Sequence, residues 1–199
     1  MNNNGQQMLK RLYDWTLSLA QHRHAIWGLA IVAFMESSFF PIPPDLIMIP
    51  MIIARPQKAF LIAAVALLAS VLGGLLGYAI GALAYETIGQ PILQALGKAA
   101  AMSEFSERFN DMGFWAVLVA GITPFPYKVI TIMSGWTAMP LGVFIATSIL
   151  ARGLRFFIVA GLLWRFGEPM RDFIEKRLGL VFTVFVLLLL GGFALVRFL

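Results

Sequence analysis

Pro41-Ile42-Pro43-Pro44-Asp45-Leu46-Ile47-Met48-Ile49 decides how this chain is read, because it lies within an apolar region yet cannot continue a helix. Proline lacks a backbone N–H and its ring clashes with the preceding turn, so three prolines in four positions bar a straight span. The apolar stretches on either side, residues 24–35 and 46–54, are each shorter than the ~20 residues needed to cross ~30 Å of hydrocarbon. A segment that enters the bilayer, turns at a Pro-rich tip and leaves on the same side fits these lengths. Residues 25–55 are therefore read as a re-entrant hairpin tipped by Pro41, Pro43 and Pro44.

The pattern returns at an offset of 83. Pro124-Phe125-Pro126-Tyr127-Lys128-Val129-Ile130-Thr131-Ile132 matches the first segment at two prolines and two isoleucines, which makes residues 113–139 a second hairpin with Pro124, Pro126 and Tyr127 at its tip. Each hairpin is followed by a long Gly- and Ala-rich span, at residues 59–85 and 140–166. One crossing per repeat makes the second copy enter from the opposite face, the inverted-topology arrangement of transporters. Irregular backbone at that depth is tolerated only where protein buries it or it lines an aqueous cavity.

Composition agrees. The 199 residues are 60% hydrophobic and 13% charged, with a mean hydropathy of +0.84, whereas ordinary soluble domains are roughly 45–50% apolar and about 25% charged. A soluble enzyme, a disordered tail and a disulfide-stapled secreted module are excluded. Without cysteine, no thiol chemistry enters. Uncharged runs at residues 59–85, 129–151 and 178–196 mark three crossings, because a charge at bilayer depth costs roughly 3 kcal/mol or more unless paired or wet. The chain is thus expected to be an all-α, multi-pass integral membrane protein built on an inverted repeat.

Basic residues set its orientation. With both ends of each hairpin on one side and a cytoplasmic N-terminus, Lys10, Arg11, Arg23, Arg55, Lys58, Arg165, Arg171, Lys176 and Arg177 all lie inside. Lys98, Arg108 and Arg197 fall outside, and the positive-inside rule supports this arrangement over a full crossing by the first hairpin. The +5 net charge is thereby a topology signal, and no nucleic-acid partner is expected. Residues 1–24 carry Leu9, Leu12, Trp15 and Leu19 on one helical face and read as an amphipathic helix in the cytoplasmic interface. Residues 86–112 read as an outer surface helix and residues 178–199 as a C-terminal transmembrane helix.

Five ionisable residues stand where lipid should forbid them: Glu36 and Asp45 in the first hairpin, Lys128 in the second, and Arg152 and Arg155 in the second long span. Such groups face a bundle interior, pair with one another, or line a substrate or proton path. The three cations make a compact site for an anion, with a phosphate-bearing lipid head group as its guest. The two carboxylates balance those cations when the site is empty, and a carboxylate that takes up a proton provides coupling. Asp45 is the first choice for coupling; its alternative is a cap for the second hairpin leg. The Gly73-x-x-x-Gly77-x-x-x-Gly81 ladder reads as helix packing, as do Gly153 and Gly161. Tyr78, Trp115, Trp136 and Trp164 read as interfacial anchors. His22 and His24 lack acidic or thiol partners at ligand spacing, so neither a metal nor another cofactor is expected.

Glu36, the Phe40-Pro41-Ile42-Pro43-Pro44-Asp45 tip, the glycine-rich span, Thr123-Pro124-Phe125-Pro126-Tyr127-Lys128 and Ser134-Gly135 together make a familiar set. The chain resembles the DedA family, also called the SNARE-associated or VTT-domain family, and within it the short YqaA-like branch, from about residue 25 to 170. The resemblance implies two opposed re-entrant hairpins, a bacterial inner-membrane location, and work as a lipid flippase or scramblase, including carriage of undecaprenyl phosphate in some members. The family's acidic residues carry over to Glu36 and, more loosely, Asp45. Its second hairpin usually reads Arg-Phe-x-Pro-x-x-Arg; here Thr123 and Val129 stand in the arginine places, and Lys128 is the nearby cation. Arg152 or Arg155 is left to supply the missing charge from the next span.

The leading expectation is a membrane lipid transporter that moves an anionic phospholipid or a polyprenyl phosphate, with proton coupling and a homo-oligomer both left open. A small-solute or ion transporter is the alternative, and a non-transporting scaffold of membrane integrity is a third reading. A groove open sideways to lipid separates the first from the second. An intramembrane enzyme acting on lipid phosphate lacks a histidine nucleophile or a metal set, and the chain is not expected to be an enzyme.

Overall fold

The computed structural model describes residues 24–40, 42–123 and 126–167, and every regular element among them is helical. The amphipathic segment expected in residues 1–23 and the C-terminal helix expected at 178–199 lie outside these residues, as do Pro41 and Pro124. In chain order the helices are α1 (Ala25–Ser38), α2 (Asp45–Ala54), α3 (Pro56–Ala95), α4 (Ala99–Asp111), α5 (Gly113–Ile122), α6 (Tyr127–Trp136) and α7 (Leu141–Gly167). Among the described residues, α3, at 40 residues, and α7, at 27, are the helices long and apolar enough to cross a membrane. The others flanking the Pro-rich links, at 14 residues for α1 and 10 each for α2, α5 and α6, are too short.

The two long helices run antiparallel. Phe60 packs near Trp164 (ring centroids 5.8 Å apart), Leu67 meets Gly153, Ser70 meets Arg152 and Gly74 meets Phe144, so positions rise along α3 as they fall along α7. Helix α1 runs parallel to α3: Leu29 packs with Ala59 and Ile62, and farther on Phe34 faces Gly73 and Ser37 faces Gly77. Met51 and Ile52 from the end of α2 join that same cluster with Ala59, which brings both ends of the α1–α2 unit to the start of α3. The second unit mirrors the first. Gly113 packs on Met139 and Gly121 on Ala151, so α5 runs parallel to α7, while Tyr127, at the opposite end of α6 from Trp136, lies against Gly121.

Glycines make this crossing possible. On α3, Gly73 lies against the Phe34 carbonyl of α1, and Gly81 against the Ile132 carbonyl of α6; Gly77 sits between Ser37 and Thr131. From α6, Gly135 faces the Tyr78 carbonyl and the Ala82 amide of α3. A Cβ at Gly73, Gly81 or Gly135 would drive into backbone, so the ladder is a packing face, as its spacing implies. Among the described residues a Cβ at Gly161 would meet nothing within 4 Å, and one at Gly153 only Leu67 at ordinary contact distance, so neither glycine makes a close approach there.

Three further expectations change. The uncharged run 129–151 is divided between α6 and α7, because Ala138 takes a positive φ of 52° and Pro140 follows before α7 starts. Counting charges cannot detect a break made by backbone geometry. The region 86–112 is likewise divided: α3 continues through a π-turn at Tyr85–Gly89 to Ala95, where Pro91 lacks the donor a regular turn would use, and only α4 is a separate, largely exposed helix after Gly97 (φ 66°). Tyr78 is no interfacial anchor: its hydroxyl donates to the Met139 carbonyl at 2.6 Å and its ring packs on Phe144, while Trp136 rests on Gly89 and Tyr85. Trp115 and Trp164 are exposed.

Candidate functional site

Arg152 and Arg155 stand three residues apart near the middle of α7, and three-residue spacing puts them on one helical face. The structure pairs each with one acid of the first unit. Arg152 donates through an Nη2 hydrogen to Glu36 Oε2 at 2.7 Å, and Arg155 donates through Nη2 to Asp45 Oδ2 at 2.6 Å. Glu36 is near the end of α1 and Asp45 begins α2, so α7 holds both legs of the first unit beside its tip. The two pairs sum to zero charge.

Their surroundings differ. Arg152 is 1% exposed, and its Nε donates to Ser70 Oγ at 2.7 Å. Its guanidinium lies over the rings of Tyr127 and Phe156, 4.9 and 4.6 Å from their centroids, a cation–π cage suited to a desolvated arginine. Ser70 shares a 2.7 Å hydrogen bond with Ser37, whose hydroxyl also reaches Glu36 at 3.3 Å, and the Tyr127 hydroxyl donates to Ser148. A closed network of this kind satisfies the buried charge, which is the condition for burying it at all.

The Asp45–Arg155 pair is more open on the arginine side, Arg155 being 16% exposed against 1% for Arg152, while Asp45 and Glu36 are alike at 15% and 12%. Arg155 also donates through Nη1 to the Thr123 carbonyl at 2.8 Å, so one guanidinium ties the tip of the first unit to the tip of the second. Thr131 donates to the Ser37 carbonyl at 2.9 Å, a second tie between the units. In the chain segments that carry these groups, Phe39, Phe40, Ile42 and Leu46 near Asp45, and Ile122 and Val129 near Thr123 and Lys128, are exposed.

Lys128 completes the set expected from sequence, but differently. It makes no ion pair within 4.0 Å among the described residues; its Nζ lies 3.4 Å from the Phe39 carbonyl at the first tip. Asp45 is no helix cap, since Pro44 occupies that position and no side-chain capping bond forms; its carboxylate is given to Arg155. Of the tip residues, Pro44 and Tyr127 are buried, Pro43 and Pro126 half-buried. Sequence reasoning missed Ser37, Ser70, Thr131 and Phe156. The hydroxyls had a signal, being polar residues inside apolar membrane segments; Phe156 had none, because an aromatic beside an arginine in an apolar helix is ordinary. No group of three or more histidine or acidic side chains suited to a metal occurs among the described residues.

Two long apolar helices beside a cluster of two ion pairs fit a helical protein associated with a membrane. A VTT domain model matches residues 38–165, and the chain belongs to that family, the DedA family its sequence resembles. An uncharacterised protein of Haemophilus influenzae is 37% identical over 185 residues, covering 92% of this chain and 96% of the relative. A second uncharacterised relative, from Histophilus somni, is 39% identical over 168 residues, with 82% and 87% covered. No solved structure matches the chain.

Proposed function

We propose that the protein moves the head group of an anionic phospholipid or a polyprenyl phosphate across the bacterial inner membrane, as a scramblase or as a proton-coupled flippase. In this reading α1–α2 and α5–α6 are opposed re-entrant hairpins whose tips meet at mid-bilayer, and the N-terminal side of α3 faces the cytoplasm. The return of both ends of the first unit to the start of α3 supports the hairpin, as does the parallel run of α1 with α3 and α5 with α7. The offset of 83 also carries Asp45, the start of α2, to within one residue of the start of α6, and Pro56, the start of α3, to within two residues of the start of α7.

The observation that carries the proposal is the partly exposed Asp45–Arg155 pair, held between tip segments whose exposed apolar side chains would form a lipid-facing rim. A head-group site must face lipid sideways so that acyl or prenyl chains stay in the bilayer while the charge moves; a solute path has no use for such a rim. Protonation of a carboxylate frees its arginine for phosphate, and deprotonation draws the arginine back and expels the guest. Reconstitution into liposomes, with a chain-labelled anionic phospholipid and separately a polyprenyl phosphate, tests the activity. Transport faster than in empty vesicles is expected; rates equal to those of empty vesicles, both with and without a proton gradient, would sink the proposal and favour a scaffold.

A further inference from the structure

The two arginines are held in different ways, and the difference assigns them different work. Arg152 is enclosed by Glu36, Ser70, Tyr127 and Phe156. Arg155 donates to one carboxylate and one carbonyl, one from each tip, which leaves further N–H donors on a side chain that is 16% exposed. Lys128 reaches the first tip as well, resting on the Phe39 carbonyl and not on a carboxylate.

We infer that Asp45 is a built-in competing anion: it occupies, on Arg155, the place a phosphate monoester takes, with Lys128 as the second cation of that seat and Arg152–Glu36 as fixed scaffold. The inference rests on the proposed function and names which half of the site exchanges. A carboxylate and a phosphate both accept from a guanidinium in its plane, so either satisfies Arg155, but not both at the same N–H groups. The internal anion holds the tips together through Arg155 and Thr123 when no guest is bound. It also keeps apparent affinity low: if the pair is closed about nine-tenths of the time, binding to the open remainder is weakened about tenfold. Weak binding suits a transporter, which must release its guest on the far side.

Titration of the purified chain in detergent with dihexanoyl phosphatidic acid, and in a parallel arm with inorganic phosphate, tests this. Asp45→Asn is expected to bind about tenfold tighter than the wild type, Glu36→Gln to gain nothing, and Arg155→Gln to lose binding in the Asp45→Asn background. Tightening in the lipid arm alone assigns the seat to a head group bearing chains; tightening in both assigns it to phosphate from either source. Unchanged or weaker binding by a folded Asp45→Asn, with Asp45→Ser as the second neutral variant should the first fail to fold, would overturn the inference. Binding and transport fail separately: tighter binding in a protein that moves no lipid keeps the competing anion and removes the transporter, and transport without tightening does the reverse.

Discussion

Glu36 and Arg152 form the pair whose loss the fold should feel most. Removing one partner leaves the other charge buried and unpaired, at a cost of about 3–5 kcal/mol, whereas removing both leaves neither. Arg152→Met is therefore expected to lower thermal stability in detergent sharply, and Glu36→Gln with Arg152→Met to recover most of it; additive losses in the double variant would show that the two side chains do not depend on each other. Asp45→Asn, at the more open pair, should cost less in the same melt. All five charges of this site were legible in the sequence, because a charge inside an apolar run stands out. Their pairing was not. Which acid faces which arginine depends on where α1 and α2 lie against α7, and no spacing within the chain encodes that. Lys128 looked like a main partner because it occupies the second tip, yet the arginines one helix later have the reach and the facing side.

Helix α3 is the element on which the others depend, since α1 and α6 both lie on its glycines. Gly81→Leu or Gly135→Leu forces a side chain into the opposing backbone, and overpacking of even a tolerant core costs about 1–3 kcal/mol. Loss of folded, monodisperse protein on size exclusion is expected from both, with Gly161→Leu unchanged because no described residue lies within 4 Å of its Cβ position. Equal behaviour of Gly81→Leu and Gly161→Leu would mean that the α3–α6 contact is not made. The sequence showed the ladder because its four-residue period is local. It overstated Gly161 for the same reason: an isolated glycine in an apolar helix looks alike whether a neighbour approaches or lipid does. The break between α6 and α7 was hidden in an uncharged run, although Pro140 was a sign of it.

The whole molecule is read as two copies of one plan facing opposite ways, and this can be tested without perturbing the site. The chain contains no cysteine, so single cysteines report cleanly. Gln57 at the start of α3 and Met112 between α4 and α5 are both exposed. With the proposed orientation, Gln57→Cys reacts with an impermeant maleimide only from the cytoplasmic side and Met112→Cys only from the outside; labelling of both from one side would contradict the inverted arrangement. The proposed repeat rests on two prolines and two isoleucines in the sequence, and of the two long helices only α3 was marked by an uncharged run, since α7 carries Arg152 and Arg155. The meeting of the tips was not, because it depends on helix crossing in three dimensions. Transport through the Arg155 seat is tested most directly by the transbilayer rate of a chain-labelled anionic phospholipid in vesicles containing the wild type, folded Arg155→Gln, or no protein. Fast movement is expected with the wild type and the empty-vesicle rate with Arg155→Gln; a wild type no faster than empty vesicles, or an Arg155→Gln variant as fast as the wild type, would refute it.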